Sequence, residues 1–266
     1  MPAATTGPAA TTGINTSAKT TVGALLLGNP EYTSVTYGLD PIESGNFNSF
    51  LFKISKRMSD GLNFELNYVH SRNLGATMFE NPGGALWYGE TSSDFPDHAS
   101  LTAIYLLPVG RGRQFFNKSR LVDEIFGGYS LTGIYQFLSG TPLSWGNVDY
   151  TGNYTGFDNN PHNYLTTSFN TSGFYTGSSQ PNGNNFRTFP QLLLRSDPTN
   201  NFDYSILKNF SIWDRLVIQP RVDAFNAFNH PQFTAASTSV TSSALGKVSG
   251  QQNSSRQLQG GVHIVF

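Results

Sequence analysis

The chain has no cysteine in 266 residues. That excludes a disulfide framework and any thiolate metal site. Charge is scarce as well: Asp, Glu, Lys and Arg make up 12%, with 16 basic residues against 17 acidic ones. Because the basic residues neither dominate nor cluster, a nucleic-acid partner is excluded. Long apolar runs are missing too. The longest is VGALLLG at 22–28, far short of the roughly 20 residues that a membrane-spanning helix requires. The opening MPAATTGPAATTGINTSAKTT lacks the basic start and apolar core of a signal peptide, so the chain as written is not expected to be exported on its own.

Catalytic and metal motifs are absent in the same way. His70, His98, His162, His230 and His263 show no HExxH-like spacing and no clustering with acids. Asp94, Asp97 and His98 in DFPDHAS read as residues that cap a loop through local hydrogen bonds. GRGRQF is too short for a phosphate-binding fingerprint, and GYSLTG lacks the nucleophile-elbow pattern. The expectation is a protein that is not an enzyme, with no catalytic residue, metal or cofactor.

What the chain does have is 14% aromatics, 27 glycines and 14 prolines, set among many Asn, Ser and Thr. That mixture fits secreted or outer-membrane β proteins better than a cytosolic enzyme. Its strand pattern is strong. FNSFLFKISKRM sets Phe50, Phe52 and Ile54 against Lys53, Ser55 and Arg57. LNFELNYVHS sets Leu62, Phe64, Leu66 and Tyr68 against Asn63, Glu65 and Asn67. Similar alternation runs through SLTAIYLL, GGYSLTGIYQFLSG, FDYSILKNFSI, RLVIQPRVDAFNAF and the terminal RQLQGGVHIVF. This predicts strands and no helices, about seven in all. The strands are too long for an ordinary soluble sheet, whose strands average about 5 to 6 residues. A tilted transmembrane strand needs about 9 to 11. Pro220 removes one ladder bond from its strand, and a bulge is expected there.

The links between strands alternate in length. SDG at 59–61 and WDR at 213–215 are short, PVGRGRQFFNKSRLVDEIF is intermediate, and the links at 72–97, 141–200 and 231–255 are long. Outer-membrane barrels alternate in this way between short periplasmic turns and long extracellular loops. The predicted fold is therefore all-β, an antiparallel transmembrane β-barrel segment of about seven long strands that form an incomplete barrel. Residues 1–45 read as a poorly ordered extracellular loop remnant, and 46–266 as the C-terminal barrel strands. Lys56, Arg57, Arg111, Arg113 and Lys208 fall at periplasmic ends, where Lys208 is expected to place its ammonium at the rim. Tyr68, Tyr105, Tyr135 and Trp213 suit the aromatic girdles.

The link at 141–200 is poor in charge and rich in Asn, Gly, Thr and aromatics, among them Trp145, Tyr150 and Tyr154. Rings combined with amide donors suit a neutral polar ligand such as a sugar. The other reading is a packed loop that lids the pore. Trp87 and Tyr88 in GGALWYGE carry the same two readings.

The blocks YLLPVGRGRQF, GGYSLTGIYQFLSGTPL, FNAFNHPQF and RQLQGGVHIVF occur in this order. Together they resemble the C-terminal barrel portion of TonB-dependent outer-membrane receptors of the Oar-like, carboxypeptidase-regulatory-domain-containing type, over roughly residues 46–266. The resemblance implies a barrel of about 22 strands, plugged by an N-terminal domain and driven through the TonB complex. Neither plug nor TonB-contacting segment is recognisable in this chain, so it reads as the last third of such a barrel. Its partners would be outer-membrane lipid, the barrel assembly machinery, and the TonB complex through the missing N-terminal part. By the same resemblance, Val262, Ile264 and Phe266 form the aromatic-tipped edge strand that the assembly machinery recognises through strand pairing. The implied function is uptake of a bulky nutrient, with a carbohydrate in view. The alternatives are an outer-membrane adhesion or glycan-binding barrel without transport, and a secreted soluble β-sandwich carbohydrate-binding module.

Overall fold

A computed structural model describes residues 44–79, 86–110, 112–116, 120–146, 148–152, 160–163, 165–176, 194–213 and 216–266. The proposed loop remnant at 1–45 lies almost wholly outside them. Nine strands form one antiparallel sheet: β1 (Ser44–Ser59), β2 (Leu62–Phe79), β3 (Leu86–Glu90), β4 (Asp97–Leu106), β5 (Tyr129–Leu138), β6 (Thr199–Lys208), β7 (Phe210–Trp213), β8 (Leu216–Phe225) and β9 (Gln257–Val265). Each long strand pairs with the next long one in the chain, with β3 added to the far end of β2 and β7 to the near end of β8. Among the described residues, β1 and β9 do not pair with each other, so the sheet stays open.

The seven strands expected from alternation are all present. The two additional ones have local causes. β3 doubles back on the distal half of β2, Leu74 pairing with Glu90 and Ala76 with Tyr88. β7 continues β6 beyond a break at Asn209, next to the position that faces Pro220. Pro220 pairs with Val262 in an unshifted register, so the expected bulge is not there. On its other side, pairing with β6 stops at Leu207↔Arg221 and resumes with β7 at Phe210↔Ile218. A residue without an N–H interrupts the ladder. The gap is spanned by side chains instead, Gln219 Nε2 donating to Asn209 Oδ1 at 2.7 Å.

The expectation of no helices needs correction. Arg120–Phe126 forms a short helix, here α1. A seven-residue helix is too short to leave a clear periodicity in the sequence and is marginal on its own. It is stabilised by Lys208, whose Nζ donates to the carbonyls of Ile125 (2.8 Å) and Gly127 (2.9 Å) and lies over the Tyr129 and Phe210 rings. Lys208 therefore does not reach out to solvent at the rim. It is buried, with its charge set against the carbonyl end of a helix, where a cation is favoured.

Register decides the two faces of the sheet. Ile54, Leu66, Leu101, Tyr135 and Phe202 fall in one cross-strand row, and Leu62, Tyr105, Leu131, Ile206 and Val222 in another on the same face. The opposite face carries Lys53, Asn67, Ser100, Gln136 and Asn201, then Ser55, Glu65, Thr102, Ile134 and Asp203. A ten-residue strand rises about 34 Å. Tilted at about 40°, it covers the roughly 25 Å apolar band of an outer-membrane barrel.

A soluble sandwich would bury its apolar face under a second sheet. Here no second layer covers it among the described residues, and Val222 and Leu258 stand 50% and 70% exposed. The buried core lies elsewhere. Leu143, Trp145, Val148, Tyr150, Phe169, Phe174, Leu194, Ala236, Val240 and Leu245 form one cluster, drawn entirely from the two long links 139–198 and 226–256. Both links leave the same end of the sheet, opposite the tight Asp60–Gly61 turn. The positive φ of both turn residues matches the two-residue hairpin that twisted strands prefer.

Candidate functional site

The two long links fold together into a cap over one end of the sheet. Its centre is aromatic: Trp145 stacks on Phe174 with centroids 5.3 Å apart, Phe169 meets Trp145 edge-on at 5.4 Å, and Tyr150 tilts onto Phe174 at 4.7 Å. The rings of Trp145 and Tyr150 are thus covered by neighbouring rings, at 4% and 5% exposure. Both residues are placed inside the cap, with their ring faces against other rings. Tyr154 lies outside the described residues.

Trp87 and Tyr88 sit on the β3 hairpin. Trp87 folds across Gly89, where any Cβ would collide with the indole, while Tyr88 is half exposed. Of the predicted ligand-contacting set, Tyr88 is exposed, Trp87 partly buried, and Trp145 and Tyr150 buried. Val262 and Ile264 are exposed along β9, at an edge unpaired among the described residues, and Phe266 is exposed just after the strand.

An ionic cluster fixes the cap to the hairpin. The Arg195 guanidinium donates to the Asp94 and Gly140 carbonyls, both at 2.9 Å, and to the carboxylates of Glu90 and Asp94. Arg72 approaches Glu90 from the other side, and the Asn73 backbone N–H donates to Asp94 Oδ1 at 2.6 Å. Asp94 is fully buried. Two acids and two arginines cancel in charge, which allows carboxylates to be buried at all. Close by, Asp97 accepts from Tyr68 Oη at 2.6 Å, lies 2.9 Å from His70 Nδ1, and takes Ser139 Oγ on its backbone N–H at 3.0 Å. These are not the local bonds expected of Asp97, since its partners come from β2 and from the link after β5. Asp94 does more, joining segments about a hundred residues apart.

Beneath the cap, the polar face of the sheet opens into a cavity of about 440 Å³. Gln136, Asn201, Asp203, Gln232, Asn253 and Gln257 line it, with Phe225 contributing a ring. Asp203 is held by Asn201 Nδ2 at 3.0 Å and by the Asn226 N–H at 2.8 Å. Gln232 Nε2 is engaged by Thr199 Oγ1 at 2.9 Å. The wall continues toward the opposite rim through Arg221–Asp223 (2.7 Å) and, across the sheet, Lys53–Glu65 (2.9 Å). Gln136 and Gln257 lie in strands legible from alternation, but nothing in the sequence connects the two. The one local signal was Phe225, an aromatic out of phase with the apolar series of its own strand. Among the described residues no group of three or more His, Asp or Glu is arranged to hold a metal.

A single-layer sheet is apolar on one side and amide-lined on the other, with all long links at one end. That is the plan of a membrane barrel wall. Comparison of the sequence with known families agrees: the family described as outer membrane beta barrel domain matches residues 2–259. The chain belongs to that family. No curated protein and no solved structure matches it. As an outer membrane β-barrel domain it resides in the outer membrane, with the apolar rows facing lipid and the amide-rich rows facing the lumen. The cap of long loops then lies outside the cell, and α1 with the tight turns at the periplasmic side.

Proposed function

We propose that this barrel domain is the C-terminal part of a TonB-dependent outer-membrane transporter that takes up a bulky, uncharged nutrient, with a carbohydrate as the favoured class. The carrying observation is the amide-lined cavity on the lumenal wall beneath the cap. An eight-stranded barrel has an interior just filled by side chains, whereas this wall leaves a recess of about 440 Å³. Among the described residues both sheet edges are open, and unpaired backbone groups in hydrocarbon cost several kcal/mol each, so further strands completing a wider barrel fit this wall. Amide groups bond hydroxyls in either direction, and the Phe225 ring offers a face for a sugar ring. The resemblance of the ordered blocks from YLLPVGRGRQF to RQLQGGVHIVF supports the TonB-dependent class.

Energy coupling is the test. Cells bearing the full-length protein should accumulate a labelled oligosaccharide, and removing TonB should abolish accumulation while leaving surface binding intact. Uptake that persists without TonB, or surface binding with no uptake, would replace this reading by a passive pore or an adhesion barrel.

The same proposal gives the β9 edge a role in assembly. Val262, Ile264 and Phe266 occupy alternate positions beside an edge that is open among the described residues, and all three are exposed. An edge strand of this kind pairs with an assembly partner through main-chain hydrogen bonds, its alternate side chains giving specificity. Deleting Phe266 is expected to lower the inserted fraction at least severalfold without lowering synthesis. The measurement is the heat-modifiable band in outer-membrane fractions, and unchanged insertion would remove the assembly role.

A further inference from the structure

The link between β4 and β5 builds an apolar groove of about 360 Å³ at the periplasmic rim. Leu107, Tyr129, Leu131 and Ile206 form its floor, and Phe116 and Phe126 rise beside it from the link. The floor belongs to the lipid-facing rows, since Leu131 pairs with Ile206 and with Tyr105, and the Leu107 N–H donates to the Tyr129 carbonyl at 3.0 Å. The groove is therefore continuous with the membrane-facing surface of the barrel. Its two phenylalanines are 68% and 58% exposed, and Phe115 and Ile125 beside them are also exposed. A cluster of exposed apolar side chains of this kind marks an interaction surface.

The link is held in place. Lys208 grips the end of α1 through the Ile125 and Gly127 carbonyls. Gly128, at φ 73°, then turns the chain into β5. This places Phe126 beside the lipid-facing wall and not beneath the lumen.

We infer that this groove binds one acyl chain of a phospholipid from the periplasmic leaflet, so that the α1 link acts as an interfacial clasp on the membrane. Continuity with the lipid-facing wall selects the occupant: a soluble partner would have to displace bilayer to reach the floor. The inference rests on outer-membrane residence and is independent of the transport reading.

The protein purified from outer membranes in mild detergent should show one retained phospholipid in native mass spectra. Phe116→Ser with Phe126→Ser should reduce that adduct at least tenfold while heat-modifiable migration stays unchanged. As a second measurement that does not rely on the double variant folding, Phe126→Trp is reconstituted in phosphatidylcholine vesicles. The emission added by that tryptophan should fall by more than half when the acyl chains are brominated, whereas a Tyr88→Trp control on the extracellular hairpin should be unaffected. Equal lipid retention in the double variant, a dimer mass in place of a lipid adduct, or a Phe126→Trp signal as insensitive to bromine as the control would each overturn the inference.

Discussion

Replacing Arg195 by methionine is expected to open the extracellular cap, at a local cost of about 3 kcal/mol. The reason is the charge left behind. Arg195 serves Glu90 and Asp94 together and satisfies the carbonyls of Asp94 and Gly140. Both carboxylates are buried. Removing one partner of a buried ionic group costs about 3 to 5 kcal/mol, because the remaining charge is stranded away from water. The lower end applies here, since Arg72 still reaches Glu90 and about a fifth of the Arg195 side chain meets solvent. Arg195→Lys should recover only part of the loss, because an ammonium cannot span two carboxylates and two carbonyls in one plane.

The measurement is amide hydrogen exchange in the folded protein. The Asn73 N–H bonds to Asp94, the Leu143 N–H to Leu194, and the Ser196 N–H to Thr141. Their exchange should accelerate about a hundredfold in Arg195→Met if it reports local opening, while amides of β4 and β5 stay protected. Acceleration spread evenly over sheet and cap would mean that the cluster supports the barrel as a whole. No acceleration would mean that the aromatic core holds the cap by itself.

The second large effect separates the two faces of one strand. Leu101 lies midway along β4 in the row with Leu66 and Tyr135, on the lipid side. Arginine at that depth should cost about 2 to 4 kcal/mol. Thr102, the next residue, pairs with Glu65 and Ile134 on the lumenal face. Thr102→Arg would find a carboxylate across the strand and should change stability by less than about 1 kcal/mol. Urea unfolding of the two variants in vesicles decides the matter. Equal costs would contradict the assignment of faces, and a larger cost for Thr102→Arg would invert it.

The strand pattern could be read in advance because its cause is local. A side chain's face depends on whether its position is odd or even, so Leu66, Leu101 and Leu131 announce a shared face without knowledge of their neighbours. The Asp60–Gly61 hairpin is local in the same sense. Trp145 and Tyr150 were legible as unusual, but not as core. Their neighbours Phe169 and Phe174 lie farther along the same link, and Ala236, Val240 and Leu245 come from a different one. Nothing in the periodicity of either link announces that they meet. The amide cavity was hidden for a related reason: Gln136, Asn201 and Gln257 converge only once β5, β6, β8 and β9 stand side by side.

The sequence by itself determined the class, the two faces and the side on which the long links lie, since these follow from alternation and segment length. Tertiary structure alone decided what each conspicuous residue does. It turned Lys208 from a rim cation into the clasp of a helix, because the fold brings its ammonium to the carbonyls that end α1. It matched Pro220 with a break in the facing strand, because the missing N–H lies toward β6 and β7. It put the aromatics of the long links inside the cap, where ring-on-ring burial excludes water. It joined Asp94 to Arg195, about a hundred residues away, because a buried carboxylate needs a countercharge and the fold brings one there.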